Sequence, residues 1–280
     1  MSYKTITVHL DADPRCTARV DLAIRLASAH GSQLVGIAPT GLPDVLATLS
    51  SAVPDGVELI ALSARYLHER ADALALAFSA RVAAAGWTRH EAQVVVGEPL
   101  DAIVRYGRSS DLLVVGQTDR HARPDVVGWD FPQQTALHSG CPVLIVPYAG
   151  DFAAAGECVL VAWKGTREAA RAVRDALPIL RAARRVVLIE VAEGAEPTDA
   201  QRVALIDVQA WLGRHGVEAE ARLESATTQI GDLLLSRAAD WGADLIVMGA
   251  YGHSRIREWV LGGATRHLLD HMTVPTLMSH

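Results

Sequence analysis

Cysteines and aromatic residues are scarce in this chain of 280 residues. The three cysteines, Cys16, Cys141 and Cys158, are odd in number and widely spaced, so they form neither a CxxC pair nor a disulfide framework. Aromatic residues make up only 5% of the chain, so the core must consist mainly of Ala, Val, Leu and Ile. We therefore expect a fold without disulfides in a reducing, cytoplasmic compartment.

Neither an excess of positive charge nor a long apolar run is present. The formal net charge is -6 and the sequence pI is about 6.0, which argues against nucleic acid as a partner. Mean hydropathy is +0.18, yet no apolar run approaches the ~20 residues that a membrane-spanning helix needs. Met1 leads directly into a strand-like segment without the apolar core of a signal peptide. We expect no membrane partner.

An internal repeat organises the sequence. Asp111-Leu-Leu-Val-Val-Gly116 matches Asp244-Leu-Ile-Val-Met-Gly249 at an offset of 133 residues (249 − 116). The starts of the two halves, Thr5–Asp11 and Cys158–Lys164, match at an offset of 153 residues (164 − 11). The first half therefore carries an insertion. The repeat predicts two tandem domains, 1–150 and 151–280.

The pattern of each half is typical of an α/β fold. Continuous apolar runs at 112–115 and 245–248 indicate strands buried on both faces of a parallel sheet. Strands that alternate with helices over short connections place helices on both faces of that sheet. We predict two doubly wound, five-stranded parallel-sheet domains of strand order 3-2-1-4-5, related by a pseudo-two-fold axis.

The predicted strands are 4–10, 33–39, 91–96, 111–116, 142–147, 157–163, 184–191, 217–223, 244–249 and 275–279. The predicted helices are 15–30, 57–86, 98–109, 131–139, 166–181, 199–215, 230–241 and 257–272.

A glycine-rich loop follows the fourth predicted strand of the second half. It contains Gly249, Gly252, Gly262 and Gly263 and leads into the last predicted helix. Free N–H groups at a helix start favour an anion, and ligands of open parallel sheets bind where the strand order reverses. The loop is neither a P-loop nor a dinucleotide fingerprint, because GK[ST] and GxGxxG are both missing. Spacing alone leaves open a phosphate site and a turn that simply needs glycine.

These motifs resemble the universal stress protein family, in two copies over essentially the whole chain. The resemblance rests on 161–173, on Val96-Gly-Glu-Pro99 and on 249–265. Nucleotide-binding members carry Gly, two residues, Gly, nine residues, Gly and then Ser or Thr, and this sequence keeps the glycine spacing but has Gly263 last. The resemblance implies a stress-response protein that binds ATP, ADP or AMP, with Mg²⁺ as its companion ion.

The implied nucleotide site lies in the second half. Phosphates would bind to backbone N–H groups at the start of the last helix, aided by one hydroxyl, with the base near the end of the second strand. The site residues are Gly249, Gly252, His253, Gly262, Gly263, Ala264, Thr265, Lys164, Gly165 and Val191.

Both halves depart from the family pattern. Lys164 stands where the family commonly has Asp, and it either approaches a phosphate or is a solvated loop lysine. In the first half Asp11 keeps that carboxylate, but Trp129 and Asp130 replace the paired glycines, and Asp119 adds a further negative charge. The first domain is therefore expected to be degenerate toward triphosphates, and a different ligand there stays open.

Metal binding and catalysis find little support. His267 and His271 share a helix face but lack an HExxH glutamate and a third ligand. No nucleophile elbow is present, and no residue is placed as a general base. We assign neither a metal site nor a catalytic residue. The most enzymatic activity that we expect is slow ATP hydrolysis.

The fifth predicted strands, 142–147 and 275–279, are apolar sheet edges that invite pairing. Family members often dimerise through this strand, so we expect the two to pair antiparallel as an intrachain pseudo-dimer. A homodimer of the whole chain stays open. Two rival functions also stay open: a nucleotide-independent interaction scaffold, and a carrier of small apolar ligands in a cavity between helices.

Overall fold

The computed structural model describes residues 2–41, 56–118, 128, 130–193, 196–226, 229–250 and 263–280. The chain divides into two compact units, Ser2–Cys141 and Pro142–His280. None of the helices in these ranges is long and apolar enough to cross a membrane.

Strands and helices alternate along both units, as predicted. The first unit contains β1 (Thr5–His9), α1 (Cys16–His30), β2 (Gln33–Pro39), α2 (Gly56–Ala84), β3 (His90–Val95), α3 (Pro99–Gly107), β4 (Leu112–Gly116) and α4 (Phe131–His138). The second contains β5 (Val143–Val146), β6 (Cys158–Trp163), α5 (Arg167–Asp175), α6 (Leu177–Leu180), β7 (Arg185–Glu193), α7 (Asp199–Arg214), β8 (Ala219–Ala226), α8 (Ile230–Asp240), β9 (Leu245–Gly249), α9 (Gly263–His271) and β10 (Thr276–Ser279).

The sheets are mostly parallel, which confirms the predicted fold class. In the first unit the strands run β3-β2-β1-β4, and in the second β10-β9-β6-β7-β8 are parallel neighbours. Both halves therefore follow the predicted order 3-2-1-4-5. The apolar runs 112–115 and 245–248 are buried, as strands covered on both faces must be.

The second unit also contains β5, which pairs antiparallel with β10. Leu144 lies opposite Leu277, and Val143 lies opposite Met278. This is the pairing predicted for the two fifth strands, and it covers the apolar edge of β10. The pseudo-two-fold axis and the homodimer stay predictions.

The predicted helix 166–181 is broken into α5 and α6. Thr166 begins α5 as its N-cap, because its hydroxyl accepts a hydrogen bond from the Ala169 N–H at 3.2 Å. The break falls at Ala176, just before Pro178. Proline lacks an N–H and clashes with the carbonyl four residues earlier, so one continuous helix was the wrong prediction. Of the predicted helix 257–272, the stretch 257–262 lies outside the described residues.

The repeated aspartate at 111 and 244 anchors the first strand of each half. Asp111 Oδ2 accepts hydrogen bonds from the backbone N–H groups of Lys4 and Thr5 at 2.7 and 2.9 Å. Asp244 accepts three, from residues 156 to 158, at 2.9 to 3.1 Å. Each carboxylate thus satisfies N–H groups before or at the start of the strand beside it, which explains why the repeat begins with Asp.

Asp244→Ala should lower the free energy of unfolding by about 2–4 kcal/mol, because several backbone N–H groups lose a charged acceptor at once. Urea unfolding followed by circular dichroism measures the loss. Asp240→Ala is the control: that side chain is 52% exposed and paired with Arg237, so its loss should cost less than about 1 kcal/mol. Equal effects of the two substitutions would contradict the anchoring role.

Candidate functional site

The carboxyl ends of β6 and β9 form a shared edge in the second unit. The two strands are parallel neighbours, and Ala162 lies opposite Met248 in their register. Trp163 and Gly249 are therefore the next residues along this edge, and the chain continues from Trp163 into Lys164 and Gly165. At this point the strand order reverses, which is where open parallel sheets bind ligands.

One lip of this cleft is the connection from β6 to α5. Lys164 and Gly165 are exposed there. Gly165 has φ +54°, a left-handed conformation that residues with a side chain rarely adopt. The structure thus places these two predicted site residues next to the end of β9.

Gly249 is required by the close approach of α5. A Cβ at position 249 would lie 2.5 Å from the Ala169 nitrogen and 2.6 Å from the Glu168 carbonyl carbon. These are backbone atoms, so a side chain at 249 could not be accommodated by a rotamer change. The primary role of this glycine is therefore to let the first turn of α5 pack onto the end of β9.

The first turn of α5 already contains a negative charge. The Glu168 side chain is buried and hydrogen-bonded to Arg167. Although burial acts to raise the pKa of Glu168, hydrogen bonds from Arg167, from the Glu168 backbone N–H and from Thr166 lower it overall. The ionised carboxylate complements the positive end of the helix dipole. An incoming anion is therefore disfavoured at the start of α5.

The start of α9 differs from that of α5. Its first turn, Gly263 to Arg266, contains no acidic residue. The first N–H groups of any helix lack partners within the helix, so this turn offers donors, and it contains no carboxylate of its own. Thr265 lies in this turn and is buried, whereas Gly252, His253 and Gly262 lie outside the described residues.

Val191 completes the set of predicted site residues that the structure describes. It is buried on β7, one residue beyond Glu190, which pairs in register with Trp163 of β6. Lys164 and Val191 therefore follow neighbouring strand positions at the same edge. Three further residues at this edge are not among the predicted site residues: Trp163, Glu168 and Glu190. A charged residue inside the apolar run Val186–Ala192 was the one available indication of a buried acid.

The two histidines of α9 have a structural role. His267 Nε2 lies 2.6 Å from Asp232 Oδ1, which links α9 to α8, and the His271 ring stacks on the His267 ring with centroids 4.2 Å apart. Among the residues that the structure describes, no three metal-binding side chains gather.

The equivalent edge of the first unit is filled by charged side chains. Arg19 Nη2 lies 2.8 Å from Asp11 Oδ1, and His9 Nδ1 lies 3.3 Å from Asp11 Oδ2. Arg19 and His9 are each only 2% exposed. A Cβ on Gly116, the repeat partner of Gly249, would overlap Arg19 Nη1. The space beside this glycine position is therefore occupied by a guanidinium in the first unit and by the start of a helix in the second unit.

Protonation in this cluster follows from its burial and charge. Burial acts to raise the pKa of Asp11, but the Arg19 charge and a hydrogen bond from His9 hold it well below its usual range. Burial lowers the pKa of His9 despite the neighbouring carboxylate, so the ring is neutral at pH 7. The cluster is thus a buried Arg19–Asp11 ion pair beside a neutral imidazole.

Comparison with known proteins gives a consistent result over both halves. The sequence model of the universal stress protein family matches residues 2–147 and again residues 157–280. No curated relative matches the chain. The structure is similar to a universal stress protein from Archaeoglobus fulgidus, with 17% identity, a TM-score of 0.71 and coverage of 98% of this chain and 95% of that one.

A second similar structure is a functionally unknown protein from Pseudomonas aeruginosa. It shows 14% identity and a TM-score of 0.60, and the match covers 99% of this chain and 92% of that one. At such identities the two likenesses show a shared fold.

Gly249→Ala should destabilise the second unit by about 1–3 kcal/mol, because the new methyl group forces the α5 backbone away from β9. Gly213→Ala is the matched control. Gly213 is in α7, and a Cβ there meets no atom within 4 Å, so alanine should instead stabilise by about 0.5–1 kcal/mol. Thermal unfolding of the two variants separates them, and a neutral Gly249→Ala would refute the close-packing argument.

His9 should make folding stability fall as the pH drops from about 7 to 5. Its folded pKa is lowered, so below its unfolded pKa of about 6.5 only the unfolded chain takes up the proton. The stability of wild type should therefore decrease faster than that of His9→Gln, by up to about 1.4 kcal/mol per pH unit. Urea titrations at several pH values measure both slopes. Parallel slopes would show that His9 titrates normally.

Proposed function

The chain belongs to the universal stress protein family, and we propose that its second half binds an adenine nucleotide. The observation that carries this proposal is the start of α9, which begins at Gly263 after the glycine-ended strand β9 and has no acidic residue in its first turn. Phosphates would bind to the backbone N–H groups of this turn.

The contrast between the two lips of the cleft supports one position for the phosphates. Glu168 supplies a negative charge to the first turn of α5, whereas α9 has none. Coulomb repulsion from Glu168 would direct an anion away from α5. The exposed Lys164 contributes a positive charge on the α5 side without occupying the start of α9.

The contrast between the two halves supports binding in the second half. At the offset of 153 residues (164 − 11), Asp11 corresponds to Lys164 and Arg19 corresponds to Ala172. The ion pair that fills the first unit's edge therefore cannot form at these two positions of the second unit. The division into a degenerate domain, 1–150, and a nucleotide-binding domain, 151–280, is part of the proposal.

The proposed site contains Gly249, Gly252, His253, Gly262, Gly263, Ala264, Thr265, Lys164, Gly165 and Val191. Mg²⁺ would enter with the phosphates, and the protein would respond to its nucleotide as a cytoplasmic stress protein rather than as an enzyme of high turnover.

Gly263→Asp should weaken ATP binding at least tenfold in isothermal titration calorimetry, because it places a carboxylate where the phosphates would bind. Gly213→Asp is the control, since it adds the same charge to an exposed position near the end of α7. Helices run antiparallel to the strands in such units, so position 213 lies at the opposite edge of the sheet. It should leave the affinity unchanged.

Absence of ATP binding by the wild-type protein would refute the proposal and favour the interaction scaffold. One observation favours that alternative: the long helix α2 exposes the apolar side chains of Leu62, Tyr66 and Leu76. Equal affinities of the two Asp variants would place the nucleotide elsewhere.

A further inference from the structure

Four residues form a row across the carboxyl ends of the second unit's strands. Trp163 pairs in register with Glu190, and Gly249 pairs with Ser279. Ala162 lies opposite Met248, so Trp163 and Gly249 are next in register. Register partners in a parallel sheet point to the same face, and all four therefore share one face.

Three polar atoms in this row have no hydrogen-bond partner among the residues that the structure describes. They are Nε1 of Trp163, Oε2 of Glu190 and Oγ of Ser279, and each is buried. Glu190 is 6% exposed and Ser279 is 1% exposed. Buried polar groups are nearly always hydrogen-bonded in folded proteins, so unsatisfied groups gathered in one row indicate a place where a ligand supplies the missing partners.

Trp163 and Glu190 form an adjacent pair, whereas Ser279 is separated from them. The first turn of α5 packs onto Gly249, which lies between Ser279 and Trp163 in the row. Neighbouring strands are about 4.8 Å apart, so this is the spacing of the two backbone positions that bear the indole donor and the carboxylate acceptor. Burial raises the pKa of Glu190, although a hydrogen bond from the Gln201 side chain of α7 acts to lower it.

The pair is also next to the proposed nucleotide site. Trp163 immediately precedes Lys164, and Glu190 immediately precedes Val191. An indole N–H can only donate, and an ionised carboxylate can only accept. A donor and an acceptor at register positions of adjacent strands complement a flat group that has an acceptor next to a donor. A phosphate offers acceptors only and would be repelled by Glu190.

We propose that Trp163 and Glu190 bind the hydrogen-bonding edge of the adenine base, the indole N–H donating to a ring nitrogen and the carboxylate accepting from the exocyclic amine. This inference rests on the proposed nucleotide function and makes these two side chains the determinants of base specificity. Hypoxanthine has a carbonyl oxygen in place of the amine, so its oxygen acceptor would face the carboxylate acceptor of Glu190.

The indole N–H of Trp163 provides a direct readout by nuclear magnetic resonance of the ¹⁵N-labelled chain. Its resonance is the one missing from Trp163→Phe, and it should move downfield when adenosine or adenine is added, because the proton gains an acceptor. Tripolyphosphate should leave it in place. Trp87 is an internal control, since its Nε1 is likewise buried without a partner among the described residues but belongs to the first unit, and its resonance should stay fixed.

Glu190→Gln tests the acceptor by a change of selectivity. The amide can donate to a carbonyl oxygen, so the preference for adenosine over inosine should fall about tenfold relative to wild type, with little change in tripolyphosphate affinity. Trp163→Phe should weaken adenosine about tenfold and also leave tripolyphosphate unchanged. Gly213→Asp serves again as the control with unaltered selectivity.

The two hypotheses fail in distinguishable ways. If wild type binds ATP and Gly263→Asp abolishes that binding, but the Trp163 resonance stays fixed and Glu190→Gln keeps its selectivity, the base-reading pair is refuted while the phosphate site stands. A response to ribose but not to adenine would likewise overturn the pair as a reader of the base. If wild type does not bind ATP, adenosine or adenine, both hypotheses fail. If Trp163→Phe does not fold, the selectivity of Glu190→Gln decides.

Discussion

The geometry of the cleft in the second unit depends on one steric constraint: β9 must end in a residue without a side chain. In the second unit the backbone of α5 occupies the space of a Cβ at Gly249, and in the first unit Arg19 occupies the space of a Cβ at Gly116. Because α5 is held against β9, the Lys164–Gly165 connection is fixed within one strand of the end of β9. Any larger residue at 249 would separate the two lips that a ligand has to bridge.

The duplication produced two similar sheets with different electrostatics at the same edge. In the first unit, Arg19 and Asp11 form a buried ion pair at this edge. In the second unit, Ala172 and Lys164 take these positions, so the same ion pair cannot form there. A buried ion pair costs desolvation and is weak evidence for stability, so the Arg19–Asp11 pair is better understood as the occupant of a site than as a stabilising device.

Much of the fold was predictable because local sequence and tertiary environment agree. The apolar runs 112–115 and 245–248 are short and end at a glycine, which favours strands covered on both faces, and the repeated Asp before each run has one structural task in both halves. The break at Ala176 was missed because the apolar periodicity continues through Pro178. The Arg19–Asp11 pair was missed for a different reason: a long side chain reaches across from a helix to a strand end, and no sequence periodicity encodes that reach. Glu190 could be identified from the sequence as a charge in an apolar run. Whether each of its oxygens finds a hydrogen-bond donor depends on the side chains of α7, which the sequence pattern does not show.

The charges around the proposed site also determine which way a nucleotide could lie. Glu168 and Glu190 are both buried, Glu168 against the end of β9 and Glu190 near the end of β7. Glu168 is ion-paired with Arg167, so Glu190 is the carboxylate that a triphosphate placed over the end of β7 would face at low local dielectric, where Coulomb repulsion is several-fold stronger than in bulk water. The start of α9 carries the opposite preference, because its N–H groups and helix dipole favour negative charge. A nucleotide bound across this cleft would therefore have its base toward β7 and its phosphates toward α9, and the reverse orientation would oppose both fields at once.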